Sequence, residues 1–279
     1  MTKNLLKQVM IKNEKTKSVK LVDFDVTGLV DTINSGYTKN LFPKKQTKYS
    51  FAPSTLSYQH GECPRYWYLA FSGATFEDNS SAFGVANRTN GTKSHERIEQ
   101  ALIDSGIAKI FQKEDKITKQ MKDTTEFEIK NENPPIYGYG DGIINWNEKE
   151  VVIEIKTVPN EGFEYRKKTG KAKEDHIIQI LVYMKILGHK HGIIIYENKN
   201  THELLPIVIE VNDHYREWVN KAFSWMTNVR AAWLKNTLPI KNYRSNSKIC
   251  KGCPVKKDCD LAGEGVVKIA LLEGLSEKM

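Results

Sequence analysis

Polar and apolar positions change rhythm along this chain, and each change marks an element. Three stretches, TEFEIK (125–130), IYGYGDGIINW (136–146) and VVIEIKTV (151–158), are rich in β-branched and aromatic residues and predict strands, with a hairpin turn at 147–150. GIIIYENK and LLPIVIEV predict two more strands. In KSHERIEQALIDSG, Ile98, Ala101 and Leu102 recur at helical spacing, which places His95 in a first helical turn and makes Gly106 the stop. DHIIQILVYMKILG (175–188) predicts a helix capped by Asp175 and ended by Gly188. A long amphipathic helix begins after Asn212 and closes before Pro239, and its Trp218, Trp225 and Trp233 suit core or interface, with core the favoured reading. Upstream, Ser54 or Thr55 suits the cap of a short helix, and Pro64 opens another carrying Tyr66, Trp67, Tyr68 and Leu69. Residues 159–174 read as a polar, basic loop with Arg166, Lys167, Lys168, Lys171 and Lys173. This order of elements predicts an α/β sandwich around a mixed sheet. It divides into a basic arm or cap (1–50), a helical segment (51–110), a strand-rich core (111–211) and a C-terminal segment (212–279).

Composition adds limits. With 39% hydrophobic and 27% charged residues over 279 positions, a packed core is expected. No apolar run reaches the roughly 18 residues of a membrane-spanning helix, so no membrane partner is expected. The first twenty residues lack the apolar stretch of a secretory signal, and a cytoplasmic protein is the expectation. The net charge of +8 permits attraction to nucleic acid. Residues 1–50 hold ten Lys against four acidic residues, and Lys241, Arg244, Lys248, Lys251, Lys256 and Lys257 crowd the C-terminal region.

Candidate chemistry centres on Asp141, Glu154 and Lys156. Glu154 and Lys156 stand two apart on a strand and so share a face, among apolar neighbours where an unused charge would be costly. Gly138 and Gly140, just before Asp141, leave room for a ligand to approach the backbone. Two carboxylates on adjacent strands suit Mg²⁺ or Mn²⁺, hard ions that prefer oxygen. Such an ion polarises a phosphodiester and acidifies bound water, while Lys156 positions that water. The carbonyl of Ile155 offers a further ligand, and the imidazole of His95 another. Gln179 and Tyr183, four apart on a helix, share one face and are placed to support the lysine or touch DNA phosphate. Glu128 is a weaker candidate for supporting the metal ligands. Tyr66, Trp67 and Tyr68 suit either core packing or stacking on bases, and core is the favoured reading.

The chain has four cysteines: Cys63 stands alone, and Cys250, Cys253 and Cys259 form C-x2-C-x5-C. Disulfides are not expected in a cytosolic chain, and the clustering points to zinc or a 4Fe–4S cluster. Either would tie together segments about 190 residues apart.

His95, Gly138-x2-Asp141, Glu154-x-Lys156 and Gln179-x3-Tyr183 together resemble the ordered motifs of RecB-like nucleases in the PD-(D/E)xK superfamily. Cys63-Pro64-Arg65, followed by aromatic residues, and the trio Cys250, Cys253 and Cys259 resemble the iron–sulfur branch, which includes AddB-type and CRISPR-adaptation exonucleases. The resemblance covers about residues 51–262. It implies a restriction-endonuclease-like mixed central sheet flanked by helices, with a 4Fe–4S cluster on the four cysteines joining the N- and C-terminal segments. It also implies a metal site of His95, Asp141 and Glu154, a catalytic Lys156, and exonuclease action on single-stranded DNA ends. Residues 1–50 have no counterpart in it, and no G-x4-GK[ST] helicase motif occurs. The chain therefore resembles compact stand-alone enzymes, viral or CRISPR-linked, acting in a bacterial, archaeal or virus-infected cell. Relatives form rings and dimers, so a homo-oligomer or recombination, CRISPR or viral partner proteins are open expectations. The competing expectation is a non-catalytic nucleic-acid-binding module with a structural iron–sulfur or zinc site.

Overall fold

The computed structural model describes residues 27–115 and 118–275. The greater part of the basic arm, residues 1–26, lies outside them. The chain runs α1 (Leu29–Thr38), β1 (Lys44–Lys45), α2 (Pro53–Leu56), a 3-10 turn (Gln59–Glu62), α3 (Pro64–Phe71), β2 (Thr75–Phe76) and α4 (Ala82–Asp104). The strand-rich part follows as β3 (Phe111–Glu114), β4 (Met121–Thr124), β5 (Phe127–Asn131), β6 (Ile136–Gly140), β7 (Gly142–Trp146) and β8 (Lys149–Val158). Then come α5 (Asn160–Thr169), α6 (Glu174–Leu187), β9 (His191–Asn198), β10 (Leu204–Glu210), α7 (Asp213–Leu234), α8 (Lys248–Lys251) and α9 (Lys256–Leu261).

The central sheet has the order β10-β9-β8-β7 and is mixed: β8 runs parallel to β9, while the outer pairings are antiparallel. The β8–β9 crossover passes through α5 and α6, as a parallel pair requires. Strand β8 is buried on both faces, so it reads as a nearly continuous apolar run. On one face Val151, Ile153 and Ile155 pack with Ile98 and Leu102 of α4. On the other, Val152 and Val158 join a larger core with α6, α7 and the aromatic residues of α3. A central mixed sheet flanked by helices is the fold class the strand and helix pattern predicts.

Several boundaries differ from expectation. Residues 136–146 are two strands broken at Asp141, not one, because β6 pairs with β5 while β7 pairs with β8. The turn into β8 is tighter than 147–150: Asn147 and Glu148 take left-handed conformations, and β8 starts at Lys149. The helix carrying His95 starts at Ser81, whose side chain accepts a hydrogen bond from the Gly84 N–H. His95 is therefore mid-helix and not in a first turn. The expected loop 159–174 contains α5, ended by Gly170 at φ 67°. That helix buries only Phe163, too little to show as an apolar stripe. Helix α6 has Lys173 at its N-cap, so Asp175 lies in the first turn. Ala52 and Pro53, not Ser54 or Thr55, open α2. The caps at Asn212 and Gly188 and the first-turn Pro64 stand as expected. Tyr66 and Trp67 are buried, in agreement with the core reading of that run. Trp218 and Trp225 are buried too, and Trp233 packs at the edge of the core.

Candidate active site and cysteine cavity

The break between β6 and β7 creates the site. Asp141 is the one residue between them, and its Oδ2 accepts a hydrogen bond from the Ile155 N–H at 2.6 Å. The Thr125 hydroxyl fixes the same hinge by donating to the Asp141 carbonyl at 2.6 Å. Glu99 of α4 in turn accepts from the Thr125 N–H at 2.8 Å. His95, on the same helix, brings Nδ1 to 3.6 Å from Asp141 Oδ1.

Glu154 is fully buried, and Lys156 Nζ pairs directly with its Oε1. Lys156 also donates to Gln179 Oε1 at 3.2 Å. Gln179 Nε2 donates to the Tyr183 hydroxyl at 2.7 Å, and that hydroxyl donates to the Tyr139 carbonyl at 3.0 Å. The relay runs from the lysine to β6, the strand that ends just before Asp141. The helical pair thus contacts Lys156 and the β6 backbone, as the i, i+4 spacing anticipates.

Electrostatics mark the site as under stress. Burial, with the nearby Asp141 charge, pushes the Glu154 carboxyl up to about 8. Burial also raises Asp141, although His95 and Lys156 oppose the shift. Burial alone would lower Lys156, but the two carboxylates outweigh it and hold its ammonium above the usual range. Glu154 Oε2 is buried with no hydrogen-bond partner. A buried carboxylate oxygen left unpaired costs on the order of 1–3 kcal/mol or more.

These features fit a divalent cation in chemical kind: two hard oxygen donors, mutually repelling, with one lone pair unspent. Among the described residues, however, no group of three or more His, Cys, Asp or Glu side chains is arranged to hold a metal ion. His95 and Glu154 are each engaged with another partner, Asp141 and Lys156 respectively. Glu128 does not join this centre. It is exposed on β5 and hydrogen-bonds Tyr137, whereas Glu126 is the carboxylate that acts on Asp141. Gly138 and Gly140 do not open space for a ligand either: a Cβ on Gly140 would stand 2.4 Å from the Phe127 ring, and one on Gly138 would stand 3.2 Å from Pro53. Their smallness serves packing. Glu99, Thr125 and Glu126 escaped the sequence reading because none lies in a motif. Tyr58 was also missed; it is 61% exposed, stacks parallel on His60, and lies close enough to Lys156 to act on its charge.

The four cysteines line a single cavity beside α3, α8 and α9. Burial pushes the Cys63 thiol up to about 11 and the Cys253 thiol up to about 12, and Cys250 and Cys259 act on both. Arg65, 1% exposed, donates Nε to Cys259 Sγ at 3.2 Å. Its other nitrogens donate to the carbonyls of Pro239, Cys259 and Gly263. Direct bonds therefore already join the two ends of the chain here. Others are Glu77 N–H to the Pro254 carbonyl at 2.8 Å and Leu272 N–H to the Glu62 carbonyl at 2.9 Å. The basic residues nearby are partly neutralised: Lys241 and Lys256 pair with Asp260, and Lys257 pairs with Glu77. Four thiols around one cavity, with a buried cation beside one sulfur, match a thiolate-held cluster in donor type, but the absence of a metal-holding arrangement among the described residues covers these cysteines as well.

No protein-family model matches this chain, and no curated protein matches it. Similar solved structures include one named SSO0001, 15% identical with a TM-score of 0.40, covering 84% of this chain and 96% of its own. Another is the alkaline exonuclease LHK-Exo from Laribacter hongkongensis, 15% identical with a TM-score of 0.45, covering 67% of this chain and 91% of its own. LHK-Exo in complex with dAMP is 16% identical with a TM-score of 0.46, over the same shares. No helix among the described residues is long and apolar enough to cross a membrane.

Proposed function

We propose that this protein is a Mg²⁺- or Mn²⁺-dependent DNA exonuclease that attacks single-stranded ends and carries a structural 4Fe–4S cluster. One observation carries the reading: fully buried Glu154 and partly buried Asp141 stand together beside Lys156, with Glu154 Oε2 unpaired. Such a cluster is expensive to a fold and is repaid where charge must be handled. Asp141 and Glu154 would hold the ion, with His95 and the Ile155 carbonyl as its further ligands. When bound, the ion would polarise the phosphate and lower the pKa of its water. Lys156 donates to a non-bridging phosphate oxygen and offsets the charge that develops on it. Gln179 and Tyr183 hold the ammonium at that point, which keeps the long side chain from wandering. Tyr58 presents an open ring face at the same rim, a surface on which a base can stack. Cys63, Cys250, Cys253 and Cys259 would hold the cluster, and Arg65 offsets part of its negative charge.

The test is digestion of end-labelled single- and double-stranded DNA with Mg²⁺, with Mn²⁺ and with chelator. Metal-dependent loss of nucleotides from single-stranded ends is expected, with Asp141→Asn, Glu154→Gln and Lys156→Met each slowing it about 100-fold or more. Undiminished cleavage by all three variants refutes the assignment. Salt-sensitive binding without cleavage would instead indicate a binding module. Visible absorption by an anaerobic preparation distinguishes an iron–sulfur cluster from colourless zinc.

A further inference from the structure

A second polar site lies beside the first. Along α4, Asn90, Ser94 and Arg97 share a stripe at helical spacing, with Lys93 at its border. They form one wall of a cavity of about 290 Å³, and Thr157, Lys199 and His202 form the other. No lining side chain is an aliphatic or aromatic hydrocarbon. The lining's charged and polar heads suit an anion, while the lysine and arginine stems supply the apolar part of the wall. Three permanent cations face the cavity. One carboxylate supports it: Glu197 is fully buried, and both Arg97 and His202 bind its Oε1. That clamp fixes the guanidinium from behind while Arg97 stays half exposed. Lys199 Nζ is steadied by Asn87 Oδ1 at 3.1 Å, and Lys93 makes only a surface pair with Glu96. Of the neutral groups, the Ser94 hydroxyl is engaged with Glu197, whereas the Thr157 hydroxyl and the Asn90 amide are donors of the kind phosphate oxygens accept.

The position is informative as well. Thr157 follows Lys156 on β8 but, by strand alternation, faces α4 on the opposite side of the sheet, and Ser94 precedes His95, the α4 residue that approaches Asp141. Helix α4 lies close to this strand end at Gly91, where a Cβ would stand in ordinary contact, 3.9 Å from the Thr157 hydroxyl. We infer that this cavity is a phosphate-binding subsite, which seats a phosphoryl group of the strand whose neighbouring linkage lies at Lys156. The identity of the strand rests on the nuclease reading; the affinity for phosphate does not. The group is either a backbone diester or a terminal monoester, which share the same oxygens and differ in charge.

The double variant Lys93→Gln/Lys199→Gln tests this and leaves the buried Glu197 clamp intact. A control, Lys149→Gln/Lys235→Gln, removes two exposed charges elsewhere. Two measurements are made on metal-free protein: ³¹P line broadening of inorganic phosphate, and anisotropy of labelled single strands bearing a 5′-phosphate, a 3′-phosphate or neither. The subsite predicts phosphate broadening by the wild type and the control and not by the double variant. It also predicts about tenfold weaker strand binding by the double variant, with a salt slope shallower by roughly 0.7 to 1.4, for one or two lost phosphate contacts. Loss confined to one phosphorylated strand identifies a terminal monoester; equal loss on all strands identifies the backbone. If the double variant broadens phosphate and binds strands like the control, the subsite is refuted, even in a protein that degrades DNA. If the wild type broadens phosphate through these lysines yet neither binds nor cuts DNA, the nuclease reading fails and the phosphate site stands.

Discussion

Arg65→Met is the perturbation with the most calculable outcome. The guanidinium is 1% exposed and reaches one sulfur and three backbone carbonyls, those of Pro239, Cys259 and Gly263. Methionine preserves most of the volume but leaves the three carbonyl oxygens without this donor. Each unpaired buried acceptor costs about 1–3 kcal/mol. Removal of a buried cation returns part of that, because its own desolvation is no longer required. The balance is a loss of about 3–5 kcal/mol, the usual range for stripping one side of a buried charged network. For a domain of this size it corresponds to a fall in Tm of roughly 5–9 °C. Arg65→Lys discriminates charge from geometry. An ammonium keeps the charge but cannot span three carbonyls spread over two segments, so most of the loss should persist. Urea and thermal denaturation of the wild type and both variants, in the metal-free state, measure it. A loss below about 1 kcal/mol for Arg65→Met, or full stability of Arg65→Lys, refutes the view that this fork ties the chain ends together.

Gly140→Ala should cost about 1–3 kcal/mol in denaturant titration, because its Cβ would meet the Phe127 ring at 2.4 Å. Gln179→Leu should lower the cleavage rate about 10-fold or more, with strand binding in chelator unchanged, because it frees Lys156 from its anchor. His176 gives the pH test. Burial, with Lys156, Lys173 and Arg166 nearby, lowers its pKa from 6.5 to about 3. As pH falls between those values, the unfolded chain takes up a proton that the folded chain refuses, so stability falls with pH across that window. His176→Phe, which retains a ring against Tyr196, should flatten that slope; an unchanged slope refutes the attribution.

The strands were legible because burial on both faces writes apolar residues into β8 and β9, and the tight turn leaves its mark at Asn147 and Glu148. The helices with broad apolar faces, α6 and α7, were equally plain. Helix α4 was recognised only in its second half, since Ile98 and Leu102 are its buried residues and the preceding turns offer solvent a polar surface. Helix α5 was missed for the same reason. At the site, Glu154, Lys156, Gln179 and Tyr183 declared themselves by spacing along single elements. Glu99, Thr125, Glu126 and Tyr58 did not, because their approach to Asp141 or Lys156 arises from packing between elements distant in sequence. The two glycines before Asp141 were misread: their partners, Phe127 and Pro53, are visible only in three dimensions.

The walls of the cysteine cavity come from residues as early as His60 and as late as Asp260. During synthesis the first thiol therefore leaves the ribosome long before the other three exist. Until the last wall arrives, Cys63 and the cationic Arg65 have no acceptors to close upon. Assembly of this clasp is thus a late event in the life of the polypeptide, and a chain broken off before Cys250 presents a single sulfur where the whole sequence brings four together.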